Sequence, residues 1–316
     1  MHDRVMSNDA TNRAVQYDRT GAPDVLYLVE KPVPQPAEGR VVLAVRAVGL
    51  NPFDAKVRAG IVPMQTPFPR GLGGDVAGVV EAVGEEAVYH DGVPVQVGDE
   101  VLGFGMSTLR EHLAVSAANL ARKPVTLSWA VAGSLATPGL TAVASYDVLR
   151  PATGDTVFVS AAAGAVGFLY AQLARAAGAR VIGSASPVNH DRLRQAGIEP
   201  VTYGEGLADR LRALAPEGLT AVQDNAGGET IEVALALGVT PDRICEIVDH
   251  DATERLGLAS PGRYPRRADR LESLAGQVAD GILSLPVQQT FPLDEVAAAF
   301  ALLETRHLHG KVVVTP

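Results

Sequence analysis

The chain has 316 residues and a formal net charge of −9, with 27 lysines and arginines against 36 aspartates and glutamates. That length suggests about two domains, and a chain this acidic is a poor candidate for holding phosphate backbones by charge, so no nucleic-acid partner is expected. Hydrophobic residues make up 47%, which excludes broad disorder, and the single cysteine, Cys245, excludes an internal disulfide and any centre built on several thiolates.

Residues Met1 to Asn12 (MHDRVMSNDATN) are polar and lack the apolar stretch of an export signal. No run of about 18 apolar residues marks a membrane span. The expectation is a soluble cytoplasmic protein with no membrane partner. From Ala14 to about Leu127, short β-like runs are broken by Gly and Pro: Val25–Val29, Val41–Val48, Val76–Val83, Val95–Leu102 and Glu111–Val115. Turn signals such as Thr20-Gly21-Ala22-Pro23, Asp91-Gly92 and Val97-Gly98-Asp99 lie between them, a pattern that predicts an irregular β-barrel or sandwich.

After Leu127 the texture changes. Trp129–Thr137 and Thr141–Leu149 are Ala-rich and read as helices split by Pro138-Gly139. Strands and helices then alternate. Strands are expected at Asp155–Ser160, Arg180–Gly183, Pro200–Tyr203, Ala221–Asn225 and Ile244–Val248. Helices are expected at Ala165–Ala177, Asp191–Ala196, Leu207–Leu214 and Ile231–Leu237. This βαβ rhythm predicts a doubly wound α/β domain, a parallel sheet with helices on both faces. The chain closes with an extended Pro286–Phe291, an amphipathic helix at Leu293–Thr305 and a strand at Gly310–Thr315 that could return to the first domain.

The most informative stretch is Asp155-Thr-Val-Phe-Val-Ser-Ala-Ala-Ala-Gly-Ala-Val-Gly167. A strand runs into a small-residue turn, which opens directly onto a helix. Gly164 would let a pyrophosphate approach the backbone, and Gly167 would let the helix pack close to the strand. Ser160, Ala163, Ala165 and Val166 complete the turn, and the helix start directs free N–H groups and the positive end of its dipole at the anion. Ala162 stands where the first Gly of G-x-G-x-x-G would be. A Gly-lined turn serving only helix–strand packing is the competing reading.

The end of the next strand bears on the cofactor. An NAD site places an acid there for the ribose 2′-hydroxyl, but Gly183-Ser-Ala-Ser-Pro-Val-Asn-His-Asp191 has no acid at the strand tip. Ser184 and Ser186 can donate to a 2′-phosphate, and Arg192 or His190 could add charge. NADPH is therefore favoured over NADH. The serines can equally cap the following helix, and both roles are compatible.

At this point a family resemblance is visible. Gly49-Leu-Asn-Pro-Phe-Asp-Ala-Lys-Val-Arg-Ala-Gly60, Gly73-Gly-Asp-Val-Ala-Gly78, Val97-Gly-Asp-Glu-Val-Leu-Gly103, Thr137-Pro-Gly-Leu-Thr-Ala142, the turn at 161–167 and Gly310-Lys-Val-Val-Val314 occur in order over nearly the whole chain. The sequence resembles the medium-chain dehydrogenase/reductase superfamily, in its zinc-independent, quinone oxidoreductase-like branch of enone and alkenal reductases. The resemblance implies a GroES-like β-barrel domain, discontinuous over 13–128 and 286–316, and a Rossmann domain over 129–285, with a homodimer as the common assembly.

Zinc-dependent relatives carry a Cys near Asn51, a His-Glu pair near Gly74-Asp75 and often a four-cysteine lobe; those ligands are missing here, so no metal is expected. The chemistry implied is reduction of quinones, or of C=C bonds conjugated to a carbonyl, by hydride from the cofactor. The alternatives are a dedicated biosynthetic enoyl reductase and a nucleotide-binding protein without turnover. Asn51-Pro-Phe-Asp-Ala-Lys56 resembles the N-P-x-D-x-K segment of enone reductases. It implies catalytic roles for Asn51, as donor to a carbonyl or to the nicotinamide ribose, for Lys56, as enolate stabiliser or proton donor, and for Asp54, as the group that orients Lys56. A turn at Asn51-Pro52 with Asp54 capping a short helix and Lys56 in solvent is the competing reading. Enoyl reductases of polyketide assembly often have Tyr where Pro52 stands, which weakens a Tyr-donor mechanism.

By position in the family pattern, Thr137 would lie near the nicotinamide, Tyr203 near the adenosine phosphate, and Asn225 and Gly227 at the carboxyl edge of the sheet. Arg263, Arg266, Arg267 and Arg270 form a basic cluster that reads as a solvated face or as the border of an acidic substrate. Cys245 reads as a buried small hydrophobe.

Overall fold

The computed structural model describes residues 11–262, 266–305 and 308–316. Arg263 of the basic cluster, His307 and most of the polar N-terminal segment lie outside the described residues. The N-terminal part holds β1 (Thr11–Tyr17), β2 (Tyr27–Pro32), β3 (Arg40–Gly49), β4 (Arg70–Gly71), β5 (Asp75–Val83), β6 (Glu100–Phe104), β7 (His112–Ser116) and β8 (Leu120–Arg122), with one helix, α1 (Pro52–Ala59), after β3. Two helices follow, α2 (Trp129–Ala132) and α3 (Ala136–Leu149). The alternating part is β9 (Thr156–Val159), α4 (Ala165–Ala176), β10 (Arg180–Ser184), α5 (His190–Gln195), β11 (Glu199–Val201), α6 (Leu207–Leu214), β12 (Ala221–Asp224), α7 (Glu229–Ala236) and β13 (Ile244–Glu246). The chain ends with α8 (His250–Leu256), α9 (Ala268–Ala279), β14 (Val287–Pro292), α10 (Val296–Glu304) and β15 (Lys311–Thr315).

The strands sort by their sequence character. β9 to β13 are short and largely buried and form an all-parallel five-stranded sheet in the order β11-β10-β9-β12-β13, with helices between its strands as a parallel sheet requires. The order reverses between β9 and β12, so the crevice at their carboxyl ends is the topological switch point where α/β sheets bind ligands. The remaining strands build a three-stranded sheet (β2-β1-β4) and a seven-stranded sheet in which β3 is central. β15 pairs antiparallel with the end of β3, Val313 opposite Gly49 and Val314 opposite Val48. The last strand thus brings Lys311 back to the segment that follows Gly49. This is a GroES-like barrel joined to a Rossmann sheet.

Some local expectations need correction. Pro138-Gly139 does not split a helix: α3 starts at Ala136, so Pro138 falls in the first turn, where its missing N–H has no partner to lose. The strand expected over Val95–Leu102 begins only at Glu100, because Gln96–Asp99 folds as a turn with the Asp99 carboxylate accepting the Gln96 N–H at 2.9 Å. β1, α8 and α9 carry no strong local signal and lie outside the elements expected from sequence. Cys245 is fully buried in β13, and burial pushes its thiol up to about 12, so it is an inert core residue.

Among the described residues no helix is long and apolar enough to cross a membrane.

Candidate active site

The turn between β9 and α4 forms as its residues dictate. Gly164 is the N-cap of α4 in an extended conformation and has no side chain to cap the helix, so the N–H groups of the first turn are left for another acceptor. Gly164, Ala165 and Val166 stay partly exposed, whereas Gly167 is buried against Ala161 and Ala162. An uncapped helix N-terminus at a switch point suits a phosphate group.

The neighbouring turn is tied to this one. Ser160 is buried; its hydroxyl donates to Asp224 Oδ1 at 2.5 Å and accepts the Asn225 N–H at 2.7 Å. The Asn225 side chain donates to the Ser160 carbonyl at 2.7 Å. Ser160 and Asn225 therefore join the ends of β9 and β12, and Gly227, partly exposed at positive φ, donates its N–H to Asp224. Ala163 is buried and offers its carbonyl to Arg192 Nη2 at 2.6 Å.

Arg192 and Ser184 each have partners within the chain. Arg192 spends its guanidinium on the carbonyls of Ala163 and His309 and lies over the Phe168 ring at 4.9 Å, linking the turn to the segment just before β15. Ser184 is buried and accepts the Ala161 N–H at 3.2 Å, so it shapes the turn. Ser186 remains half-buried with its oxygen on the Asn189 side chain at 3.1 Å. Tyr203, just beyond β11, is 49% exposed.

Beside this crevice lies a buried polar cluster that brings together residues far apart in sequence. Asp75, at the head of β5, is fully buried and takes four contacts. Its Oδ1 accepts the Thr137 backbone N–H at 2.7 Å and the Thr137 hydroxyl at 2.5 Å. Its Oδ2 accepts Asn51 Nδ2 at 3.0 Å and lies 3.8 Å from Lys311 Nζ. Lys311 is itself buried and donates to Asn51 Oδ1 at 2.6 Å and to the Leu50 carbonyl at 2.7 Å. Thr137 is the half-buried member that reaches the surface of the cluster.

The expected roles of the Asn51–Lys56 segment change accordingly. The Asn51 amide is committed on both sides, its oxygen to Lys311 and its nitrogen to Asp75 and Gly49, so it has no free donor for a substrate carbonyl. Asp54 accepts the Asn51 backbone N–H at 2.8 Å and starts α1; it does not orient Lys56. Lys56 is half-buried on α1, and none of its contacts joins it to the cluster. The lysine that joins the cluster is Lys311. Burial pushes its ammonium pKa down, opposed by Asp75 and Asp54, and burial raises the Asp54 carboxyl to about 7 against the pull of the Asn51 N–H. Sequence offers one signal for Asp75 and Lys311: each is a charge leading directly into an apolar run, 76–80 and 312–314, and a buried charge needs a partner.

A second buried acid pair lies at the same sheet edge. Asp224 and Glu246 are register neighbours on β12 and β13, both fully buried. Burial, then the adjoining Asp224 carboxyl, raises Glu246 to about 8. A folded state that keeps this proton while the unfolded chain releases it near pH 4.3 loses stability as pH rises through that interval. Wild-type thermal stability is therefore expected to fall between roughly pH 5 and 8, and Glu246→Gln to fall less steeply. Parallel melting profiles for the two proteins over that range would contradict the assignment.

The cluster does not suit zinc. Its groups are an amide, a carboxylate and a hydroxyl already bonded to one another, with an ammonium lying against the carboxylate where a cation would sit. Among the described residues no group of three or more His, Cys, Asp or Glu side chains could hold a metal ion.

Comparison with known proteins gives two family matches, "Zinc-binding dehydrogenase" over residues 130–314 and "Alcohol dehydrogenase GroES-like domain" over residues 37–146. A phenolphthiocerol/phthiocerol polyketide synthase of Mycobacterium tuberculosis is 29% identical over 98% of the chain, which spans only 15% of that protein's length. The solved quinone oxidoreductase of Coxiella burnetii is 30% identical, covers 97% of this chain and 100% of its own, and superposes with a TM-score of 0.87. The Escherichia coli quinone oxidoreductase complexed with NADPH is 25% identical over 96% of this chain and 100% of its own, with a TM-score of 0.83. The CurK enoyl reductase is 26% identical over 97% of this chain and 99% of its own, with a TM-score of 0.84.

Proposed function

The chain belongs to the medium-chain dehydrogenase/reductase superfamily, in its quinone oxidoreductase-like branch, and on that premise we propose that it is an NADPH-dependent reductase of quinones or of C=C bonds conjugated to a carbonyl, working without zinc. The observation that carries this reading is the pairing of two features. One is an uncapped helix N-terminus at the switch point of the parallel sheet. The other is a buried cluster in which Lys311 supplies the positive charge. We assign residues 13–128 and 286–316 to the barrel domain and 129–285 to the nucleotide-binding domain.

The nicotinamide cofactor supplies the hydride. The chain's own residues bind and orient. The N–H groups of Ala165, Val166 and Gly167 would hold the pyrophosphate, with Gly164 leaving room for it. Ser160 and Asn225 keep the two turns of the crevice in register, and Gly227 gives the second turn its shape. Ser186 and Tyr203 stand on the adenosine side. NADPH is preferred over NADH because no carboxylate ends β10 to bind a ribose 2′-hydroxyl or repel a 2′-phosphate, and the E. coli relative was solved with NADPH. Thr137, held by Asp75 at both N–H and hydroxyl, fixes the floor of the site where the nicotinamide ring would lie. Lys311 and Asn51 keep Asp75 from moving. Preorganised groups of this kind contribute by holding reactants in place and cost nothing to reorganise during reaction.

A second reading, an enoyl reductase on one dedicated substrate, draws on the CurK and polyketide synthase relatives. Purified protein offered NADPH or NADH with quinones, enones and an enoyl thioester separates the readings. NADPH oxidation with quinones or enones is expected. Turnover confined to the thioester would favour the second reading, and better rates with NADH would overturn the cofactor assignment.

A further inference from the structure

The turns that follow β12 and β13 are each built on a carboxyl group. Asp224 ends β12; its Oδ1 accepts the Ser160 hydroxyl at 2.5 Å and the Ala226 N–H at 2.9 Å, and its Oδ2 accepts the Gly227 N–H at 3.1 Å. Glu246 ends β13; its Oε1 accepts the Asp249 N–H at 2.8 Å and the Val248 N–H. The parallel register sets the two residues side by side. Both are fully buried, with their carboxyls within hydrogen-bonding reach of each other. Glu246 Oε2 is buried and accepts from no described residue.

Two buried carboxylates in contact repel, and no hydrogen bond joins them unless one carries a proton. A single proton removes the repulsion and gives the orphaned Glu246 oxygen a partner. Asp224, already the acceptor of three donors, accepts again, and Glu246 donates. Burial and the adjoining Asp224 raise Glu246 to about 8. The neighbouring groups are engaged elsewhere or neutral. Burial keeps Cys245 of β13 and Tyr170 of α4 in their neutral forms, and α3 brings Ser145 and Tyr146 to this side of the sheet. Asp249 turns its carboxylate to the Ala252 N–H at 2.9 Å, and His250 is exposed. Arg243, just before β13, donates to the Leu149 carbonyl at 2.7 Å and lies 3.8 Å from Asp155.

These turns edge the crevice on the β12–β13 side of the switch point, whereas Ser186 and Tyr203 border the β10–β11 side. A dinucleotide lying across the switch point with its adenosine over β10 and β11 would set its nicotinamide half over β12 and β13. We propose that Asp224 and Glu246 share one proton, that this proton fixes the shape of the turns at 225–228 and 247–249, and that the pair thereby acts as positioning residues for the cofactor's nicotinamide half. When the proton leaves to solvent, the two charges push the strand ends apart and NADPH binds less tightly. The inference rests on the reductase reading for the cofactor, but not for the tie between proton and turns. The sign follows from linkage. Cofactor that binds the protonated pair better holds full affinity below the pair's free-state titration and loses it as pH rises through it, by up to about tenfold per pH unit for one proton.

The test is calorimetric titration with NADPH from roughly pH 7 to pH 9. In wild type the Kd is expected to rise at least about threefold over that range, with a proton taken up on binding near its middle. Glu246→Gln, whose amide can accept from the turn and donate to Asp224, should keep the low-pH affinity throughout and take up no proton. A flat wild-type profile would overturn the proposal. So would a Glu246→Gln profile as steep as wild type, which would place the titration on Asp54 or Lys311. Amide hydrogen exchange of the cofactor-free wild type reads the turns themselves. After correction for intrinsic exchange, the N–H groups of Ala226, Gly227, Val248 and Asp249 should lose protection over the same range. Loss of protection in a protein that binds no NADPH would sink the reductase reading and leave the proton-held turns standing; unchanged protection would sink the proposal.

Discussion

Lys311→Met is expected to melt far below the wild type and to turn over little or no substrate. The substitution keeps the length of the side chain but removes the ammonium that faces Asp75 and donates to Asn51 and Leu50. Asp75 is left as a fully buried carboxylate without its cation. Breaking a buried ion pair from one side costs about 3–5 kcal/mol, because the surviving charge is uncompensated. The Leu50 carbonyl and the Asn51 oxygen lose their donor as well, and each unsatisfied group adds about 1–3 kcal/mol. The discriminating control is the double variant Lys311→Met/Asp75→Asn, which removes both charges. It should recover part of the lost stability but not the activity, because Thr137 would no longer be held by a carboxylate. Thermal unfolding of the three proteins measures this. A single variant as stable as wild type, or a double variant less stable than the sum of its parts, would show that the ion pair does not hold the site.

The second large effect falls on the cofactor. Gly167 packs so closely that a Cβ there would stand 2.7 Å from the Ala161 carbonyl oxygen, 3.1 Å from Ala162 Cα and 3.1 Å from Asn225 Nδ2. Two of these are backbone atoms of the phosphate-binding turn, and the third belongs to the side chain that ties this turn to the next one. Gly167→Val must push the start of α4 away from the turn and misdirect its N–H groups. NADPH affinity is expected to fall at least about 100-fold, which corresponds to roughly 2.7 kcal/mol. The upward shift in melting temperature that NADPH gives a protein binding it only when folded should vanish with it. A variant that keeps the wild-type shift would place the pyrophosphate somewhere else.

These two sites differ in how far they can be read from sequence. The turn from Ser160 to Gly167 is contiguous, and its small residues, strand before and helix after are all local properties. The buried cluster is not local. Lys311 and Asn51 are separated by 260 positions and meet because β15 pairs with the end of β3. Nothing near Lys311 distinguishes it from a solvated lysine except the apolar strand it heads. For the same reason Lys56, which shares a motif with Asn51, stands out in sequence as the lysine of the site. Ser184 and Arg192 have partners within the chain as well, a backbone N–H and two carbonyls, and those partners are visible only in three dimensions. The misplaced break at Pro138 is a matter of register, since proline stops a helix in its interior and not in its first turn.

Hydride transfer itself gives the most direct measurement. NADPH carrying deuterium at the transferable position of the nicotinamide is incubated with an enone and protein that has been exhaustively treated with a chelator, and the product is examined by mass spectrometry and NMR. The proposed reaction, with Lys311 in the buried cluster and no fitting set of metal ligands among the described residues, predicts deuterium at the carbon β to the carbonyl and a rate that neither chelation nor added zinc changes. Product without deuterium, or a rate that collapses on chelation and returns with zinc, would contradict it.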